Sequence, residues 1–142
     1  MALASARRLR QGAPVDVPDD QAIAKIETDI ARWTAVGRAN GFVRVRLRLL
    51  THEEGGRQRG ICSGYFPTWR WKHLPPGAHE MAAVVIEGHD ELGPGDEATV
   101  RLYPSRFVEW TLGPGENLEM CEGGRAVGAG TLIEFCAPFG HS

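Results

Sequence analysis

Two hydrophobic periods divide the chain. Ile23, Ile26, Ile30, Trp33 and Val36 recur at steps of three and four residues, which aligns them as one stripe of an α-helix. Asp19 and Asp20 place acid at the favourable end of that helix, Pro18 suits its first turn, and Asn40-Gly41 supplies a stop. The pattern predicts one amphipathic helix over residues 18–40. Such a stripe needs an apolar surface to lie on.

After Gly41 the period changes to two. In FVRVRLRLL, Val43, Val45, Leu47 and Leu49 alternate with Arg44, Arg46 and Arg48, the pattern of a half-buried strand with an arginine ladder on its outer face. That ladder is expected either to be a solvated, edge-protecting face or to contact phosphates or an acidic partner. Further short strands follow, cut by turn signals: EEGGR at 53–57, PPGAHE, LGPGDE at 92–97 and LGPGE at 112–116. GYFPTWRWKHL at 64–74 reads as a strand interrupted at Pro67, and MAAVVIE and ATVRLY as two more. In the last segment, NLEMCEGGRAVGAGTLIEF, Gly123 and Gly124 are expected to supply the positive φ values of a two-residue hairpin turn. Gly128 and Gly130 then fall inside the returning strand, where glycine marks a bulge or a close approach. Short strands at this spacing predict an all-β barrel or sandwich over residues 41–138.

The chain of 142 residues is the length of one domain and buries a core without needing disulfides or metal. Its 16 basic and 18 acidic residues nearly balance, so bulk charge does not mark it as a nucleic-acid binder. Only Lys25 and Lys72 are lysines. Residues 1–17 contain Arg7, Arg8 and Arg10 with no acid before Asp16 and no apolar run of a secretory signal. An organelle-targeting peptide and a solvated, disordered arm both accommodate that composition; the arm is the expectation carried forward. Cys62, Cys121 and Cys136 form no metal-ligand spacing and no even framework, which points to a reducing compartment and no metal site. No apolar run reaches bilayer length, so no membrane role is expected.

Catalytic motifs are sparse. GxxxxGK[ST], GxSxG and HExxH are all absent, and GRQRG and EGGRAVGAG are not placed at the start of a helix, so no nucleotide or other cofactor is expected. Cys62 or Cys121 could be paired on paper with His73, His79 or His89, as in any chain with these counts. The sequence argues for a binding module, not an enzyme.

The ordered motifs LLTHEEGGR, SGYFPTWRW, PGDEATVRLYP and EGGRAVGAGTL resemble the third, C-terminal domain of elongation factor Tu, across about two-thirds of the chain. The resemblance implies an all-β fold, a six-stranded antiparallel β-barrel, here with one N-terminal amphipathic α-helix. It implies a cytoplasmic, translation-related role with tRNA or another translation factor as partner. The chain carries neither the guanine-nucleotide domain nor the second barrel of that family, so it is not expected to act alone as a GTP-dependent factor.

In that family the terminal hairpin turn and the strand after Gly-Tyr-x-Pro contribute to the surface on the tRNA T-stem. Glu122, Gly123 and Arg57 match the family, and Lys72 keeps positive charge at a family arginine position. Cys121 and Gln58 replace a family arginine and histidine, Phe66-Pro67-Thr68 replaces Arg-Pro-Gln, and HLPPGAHE replaces a threonine-rich stretch. The candidate contacts are therefore Arg57, Lys72, Glu122, Gly123 and Arg125, joined by Arg44, Arg46 and Arg48. The alternative is a protein partner held through the aromatic strand by Trp69 and Trp71, which share a strand face that Trp33 of the helix could also meet.

Overall fold

A computed structural model describes residues 20–138. The arm expected over 1–17, and the first two residues of the expected helix, lie outside them. The helix, α1, runs Asp20–Asn40, and eight strands follow: β1 Phe42–Leu49, β2 Ile61–Cys62, β3 Thr68–Arg70, β4 Glu80–Ile86, β5 Glu91–Leu92, β6 Glu97–Pro104, β7 Asn117–Glu122 and β8 Arg125–Cys136. Six of them close an antiparallel barrel in the order β1-β6-β4-β3-β7-β8, with β8 pairing back onto β1. The other two, β2 and β5, form a small separate ladder, too short to register in the sequence pattern.

The alternation in β1 is realised in full: Val43, Val45, Leu47 and Leu49 are buried inside the barrel. They meet Trp69, Leu102, Leu118 and Met120 in one core. The strand expected over 64–74 is regular only at Thr68–Arg70. Before it, Gly64 N–H donates to the Val84 carbonyl, Val84 N–H to Tyr65 and Ala82 N–H to Pro67, at 2.7, 2.8 and 3.3 Å. Pro67 has no N–H to return, so the segment follows β4 without a regular ladder.

Turn chemistry explains the hairpins. In both Gly-Pro-Gly-acid turns proline precedes a glycine with φ of 81° (Gly95) or 86° (Gly115), the type II arrangement. The acid then closes each turn, Asp96 Oδ2 accepting from Gly93 N–H at 3.1 Å and Glu116 Oε1 from Gly113 N–H at 2.6 Å. At the last hairpin Gly123 and Gly124 have φ of 59° and 80°, with Glu122 opposite Arg125. Gly128 and Gly130 are close approaches made by side chains. A Cβ at Gly130 would lie 2.7 Å from Val45 Cγ1, and one at Gly128 would lie 3.2 Å from both Leu47 Cδ1 and Met120 Cβ.

The helix lies outside the barrel over β4 and β6. Trp33, Ala83, Val85 and Tyr103 form a second core, with Ile30, Val36, Phe42 and Phe66 packed against it. Gly37 admits the Tyr103 ring, which would sit 2.3 Å from any Cβ there. Gly41, with φ of 80°, ends the helix by donating to the Gly37 carbonyl at 2.8 Å. Trp33 stacks on Phe66, with ring centroids 5.2 Å apart.

Overpacking at Gly130 tests the account of the barrel interior. Gly130→Ala is expected to lower unfolding stability by about 1–3 kcal/mol, because Val45 is β-branched and yields little, as read by chemical denaturation.

Candidate functional site

Three sequence motifs separated by up to 65 residues meet at one side of the barrel. Arg57 leaves a short turn that a capping box fixes, with Thr51 and Glu54 each satisfying the other's backbone N–H. Gly56, the second glycine of EEGGR, lies against the Leu50 carbonyl with no room for a Cβ. The Arg57 guanidinium then donates to the Tyr65 hydroxyl at 3.0 Å and to the Glu122 carboxylate. Tyr65 also donates to Glu122, and the guanidinium lies 4.9 Å from the Tyr65 ring centroid. The EEGGR turn, the Gly-Tyr-x-Pro entry and the terminal hairpin thus share one half-buried hub.

The hairpin turn projects beside it. Nothing lies within 4 Å of a Cβ built on Gly123 or Gly124, so the turn faces open space. Its strands are held from β3: Thr68 Oγ1 donates to the Cys121 carbonyl at 3.1 Å, and Arg70 donates to Glu119 at 2.8 Å and to the Gly124 carbonyl at 3.1 Å. Cys121 is buried, and that burial pushes its thiol up from the ordinary value. It offers no cationic donor where the family resemblance would place one. Arg125 and Lys72 are exposed and form no ion pair within the described residues.

The arginine ladder is neutralised within the fold. Arg44 pairs with Glu87 and Glu134, Arg46 with Glu97 and Arg48 with Glu54. Arg101 joins from β6 by donating to Glu87 at 2.9 Å. The Arg44 and Arg101 guanidinium donors hold the Glu87 carboxyl below the usual carboxylate range, against a desolvation that opposes them. Arg44 is raised in turn, first by its bond to Glu87. These three side chains answer acids on neighbouring segments, and the outer face they share is a lattice of ion pairs. They do not join the hub at Glu122.

The aromatic contact expected of Trp69 and Trp71 does not match their placement. Trp69 is 0% exposed and its indole N–H donates to the Ala82 carbonyl at 3.0 Å. Trp71 is 6% exposed, donates to Thr111 Oγ1 at 2.7 Å and stacks on Trp110. Their shared face is the barrel interior. Trp33 packs on the opposite side of the wall and meets Phe66 instead. The outward positions of the same strand are Thr68 and Arg70, with Lys72 exposed in the turn that follows, and of these three only Lys72 is among the candidate contacts. Tyr65, Thr68 and Arg70 belong to the site, and strict alternation through TWRWK was the signal for the last two.

Besides a cleft of about 380 Å³ between Arg70, Lys72 and Glu119, two more adjoin this surface. One, of about 300 Å³, lies between Lys72, His73 and Glu116, where His73 Nε2 stands 3.3 Å from Glu116 Oε2. The other, of about 310 Å³, lies between Lys25, Ile26 and Asp29 of α1 and the segment from Arg57 to Tyr65. Among the described residues no group of three His, Cys, Asp or Glu side chains is arranged to hold a metal, and no helix is long and apolar enough to cross a membrane. No protein-family model matches the chain.

Protonation of Glu87 tests the charge lattice. A carboxyl held below its unfolded-state pKa adds stability that is present above that pKa and is lost as pH falls through the folded value. Glu87→Gln is expected to lower the melting temperature at pH 7. The deficit relative to the parent should shrink below about pH 4, where an ordinary glutamate takes up its proton. A deficit unchanged from pH 7 to pH 3 contradicts the pairing.

Proposed function

We propose that this chain is a non-catalytic, translation-related binding module, similar to the C-terminal domain of elongation factor Tu. Its contact surface is centred on the 121–125 turn and is directed at RNA, tRNA foremost, in the cytoplasm and without bound nucleotide. The observation that carries this reading is the hub of Arg57, Tyr65 and Glu122. Three of the four motifs on which the resemblance rests converge there, although their sequence order alone does not require it. The hub fixes the base of an exposed glycine turn. A turn without side chains at two positions lets a sugar–phosphate backbone approach closely, and Arg125 and Lys72 flank it, exposed and in no ion pair among the described residues.

Electrostatics limit the strength of this contact. Phosphate binding draws its free energy from released counterions, roughly one for each cation engaged. The surface offers few unengaged cations, so binding by the barrel alone is weak and only mildly salt-dependent. That limit favours one second reading, a protein partner such as another translation factor. Because Trp69 is fully enclosed, such a partner would rest on the turn and on Lys72, not on the aromatic strand.

Titration of labelled tRNA separates the two readings. Binding is expected at low ionic strength, weakened several-fold by Lys72→Gln or Arg125→Gln and unchanged by Arg46→Gln, whose charge Glu97 already occupies. Failure to retain tRNA at about 20 mM salt, where phosphate contacts are strongest, removes the RNA reading. Recovery of an elongation factor in a pull-down that Arg125→Gln weakens would then establish the protein reading.

A further inference from the structure

β8 is longer than the strand beside it. It runs Arg125–Cys136, but β7 pairs with it only as far as Asn117 opposite Thr131. The last bonds on that side belong to Leu132, whose N–H donates to the Glu116 carbonyl at 2.9 Å and whose carbonyl accepts from Gly115 N–H at 2.8 Å. On the other side β1 follows β8 to its end, with Arg44 opposite Glu134, Val43 opposite Phe135 and Phe42 opposite Cys136. Residues 133–136 are therefore held along one edge and open along the other, where no backbone group of another described segment bonds to them. Pro138 bounds the overhang.

Strand edges in water are normally blunted by lysine, proline or an inward charge. The overhang, IEFC, has neither lysine nor proline. Its one irregularity, a register shift that leaves Ile133 without a partner on β1, lies at its base. Ile133 and Phe135 are 38% and 47% exposed, two of the four large hydrophobic side chains so exposed among the described residues. A bare apolar edge of this kind accepts a further strand: the main chain supplies the bonds, and alternate side chains supply the selectivity.

Charge identifies the strand that fits. Glu134 is half-exposed; its Oε2 accepts from Arg44 at 2.5 Å, and its Oε1 takes no hydrogen bond among the described residues. Glu116, at the head of the open lane, pairs with His73 and with no lysine or arginine. β1 shows what this edge takes on its paired side, since Phe42 and Val43 stand beside an arginine that answers Glu134. A strand of the same alternating apolar and basic chemistry satisfies the open side. A second copy of the chain fits poorly. Antiparallel pairing of the overhang with itself about its centre brings two Glu134 side chains together, and residues 133–136 of two copies fall far short of the roughly 1,200 Å² that a specific interface buries.

We infer that residues 133–136 are a strand-addition site, in which an extended segment of a partner protein, its apolar and basic residues alternating, pairs with β8 along the edge that β7 leaves open. The overhang stands at the opposite end of the barrel from the Gly123-Gly124 turn, because β8 runs from one to the other. The two contacts are separate, and this inference does not rest on the RNA reading.

Hydrogen–deuterium exchange of the full chain tests it, with a blocked hexapeptide of alternating valine and arginine as the probe. Amides of 133–136 that exchange freely in the chain alone are expected to slow at least about fivefold at roughly 1 mM peptide. The same peptide N-methylated at every residue, which has no N–H to donate, should give no protection. Glu134→Gln is expected to weaken the valine–arginine peptide several-fold, and Ile133→Lys to abolish the protection. Both side chains are exposed, so the melting temperature should hold within a few degrees. No protection of 133–136, equal protection by the N-methylated peptide, protection confined to another strand, or an affinity that neither substitution changes overturns the site. Protection that appears without peptide and grows with protein concentration assigns the edge to a second copy and overturns a partner strand.

Discussion

The structure depends on β8 lying against both β7 and β1 at once, because that pairing closes the barrel. Twelve residues long, β8 needs its inward positions to clear the interior already filled from the other strands. Trp69, Met120, Leu47 and Leu118 are all fully enclosed. In a barrel of six strands there is no second layer to absorb excess volume, and interiors are packed too densely to compress. Gly128 and Gly130 resolve this by leaving room for Leu47, Met120 and Val45. Closure also abolishes exposed sheet edges along the paired length of the barrel, and it fixes which residue of every strand points out. The rows Arg44–Arg46–Arg48 and Thr68–Arg70 are outward for the same reason that Trp69 is inward.

Charge on the outer wall follows from that arrangement. Arg44 faces Arg101 across β1 and β6, a like-charge pair that would be unfavourable alone. Glu87 bridges both, and Glu134 reaches Arg44 from β8. Each exposed ion pair contributes little by itself. Their collective effect is on register: a slip of one residue would turn every arginine inward and every valine outward. The lattice belongs to the architecture of the wall, which is why the surface available to a phosphate-bearing partner is so much smaller than the arginine count suggests.

Much of this was legible in the sequence. The change of period at Gly41 located the helix and the first strand. The glycines and prolines located the turns, because a φ such as that of Gly124 or Gly95 excludes most other residues. The hub was only half legible: Arg57 and Glu122 could be singled out by motif, but contact between them across 65 residues is a property of barrel closure. The partners of the arginine ladder were hidden for the same reason. Glu87 lies 43 residues from Arg44 and Glu134 lies 90 away, and no local pattern announces such a pairing. The aromatic strand misled through size. Three tryptophans near one another in composition invite one cluster, yet Trp69 and Trp71 lie on the inner face of the wall and Trp33 on the outer.

The helix shows how small residues direct a large element. Its stripe is apolar enough to seek the face made by Ala83, Val85 and Tyr103, but apolar contact has no preferred direction. Orientation comes from two glycines at opposite ends of the contact. Gly37 lets the C-terminal half settle over the Tyr103 ring, and Gly64, outside the helix, lets Asp29 approach the 57–65 segment. With both ends seated, Trp33 packs with Ala83, Val85 and Tyr103 and stacks on Phe66, and these contacts oppose rotation of the helix about its axis. A bulkier residue at position 64 would lift the N-terminal half away from Arg57 and Tyr65 while leaving the Tyr103 end seated. The side of the barrel on which the helix begins is therefore set by a glycine of the barrel itself, and the same Gly-Tyr dipeptide supplies the hydroxyl that braces Arg57 and Glu122.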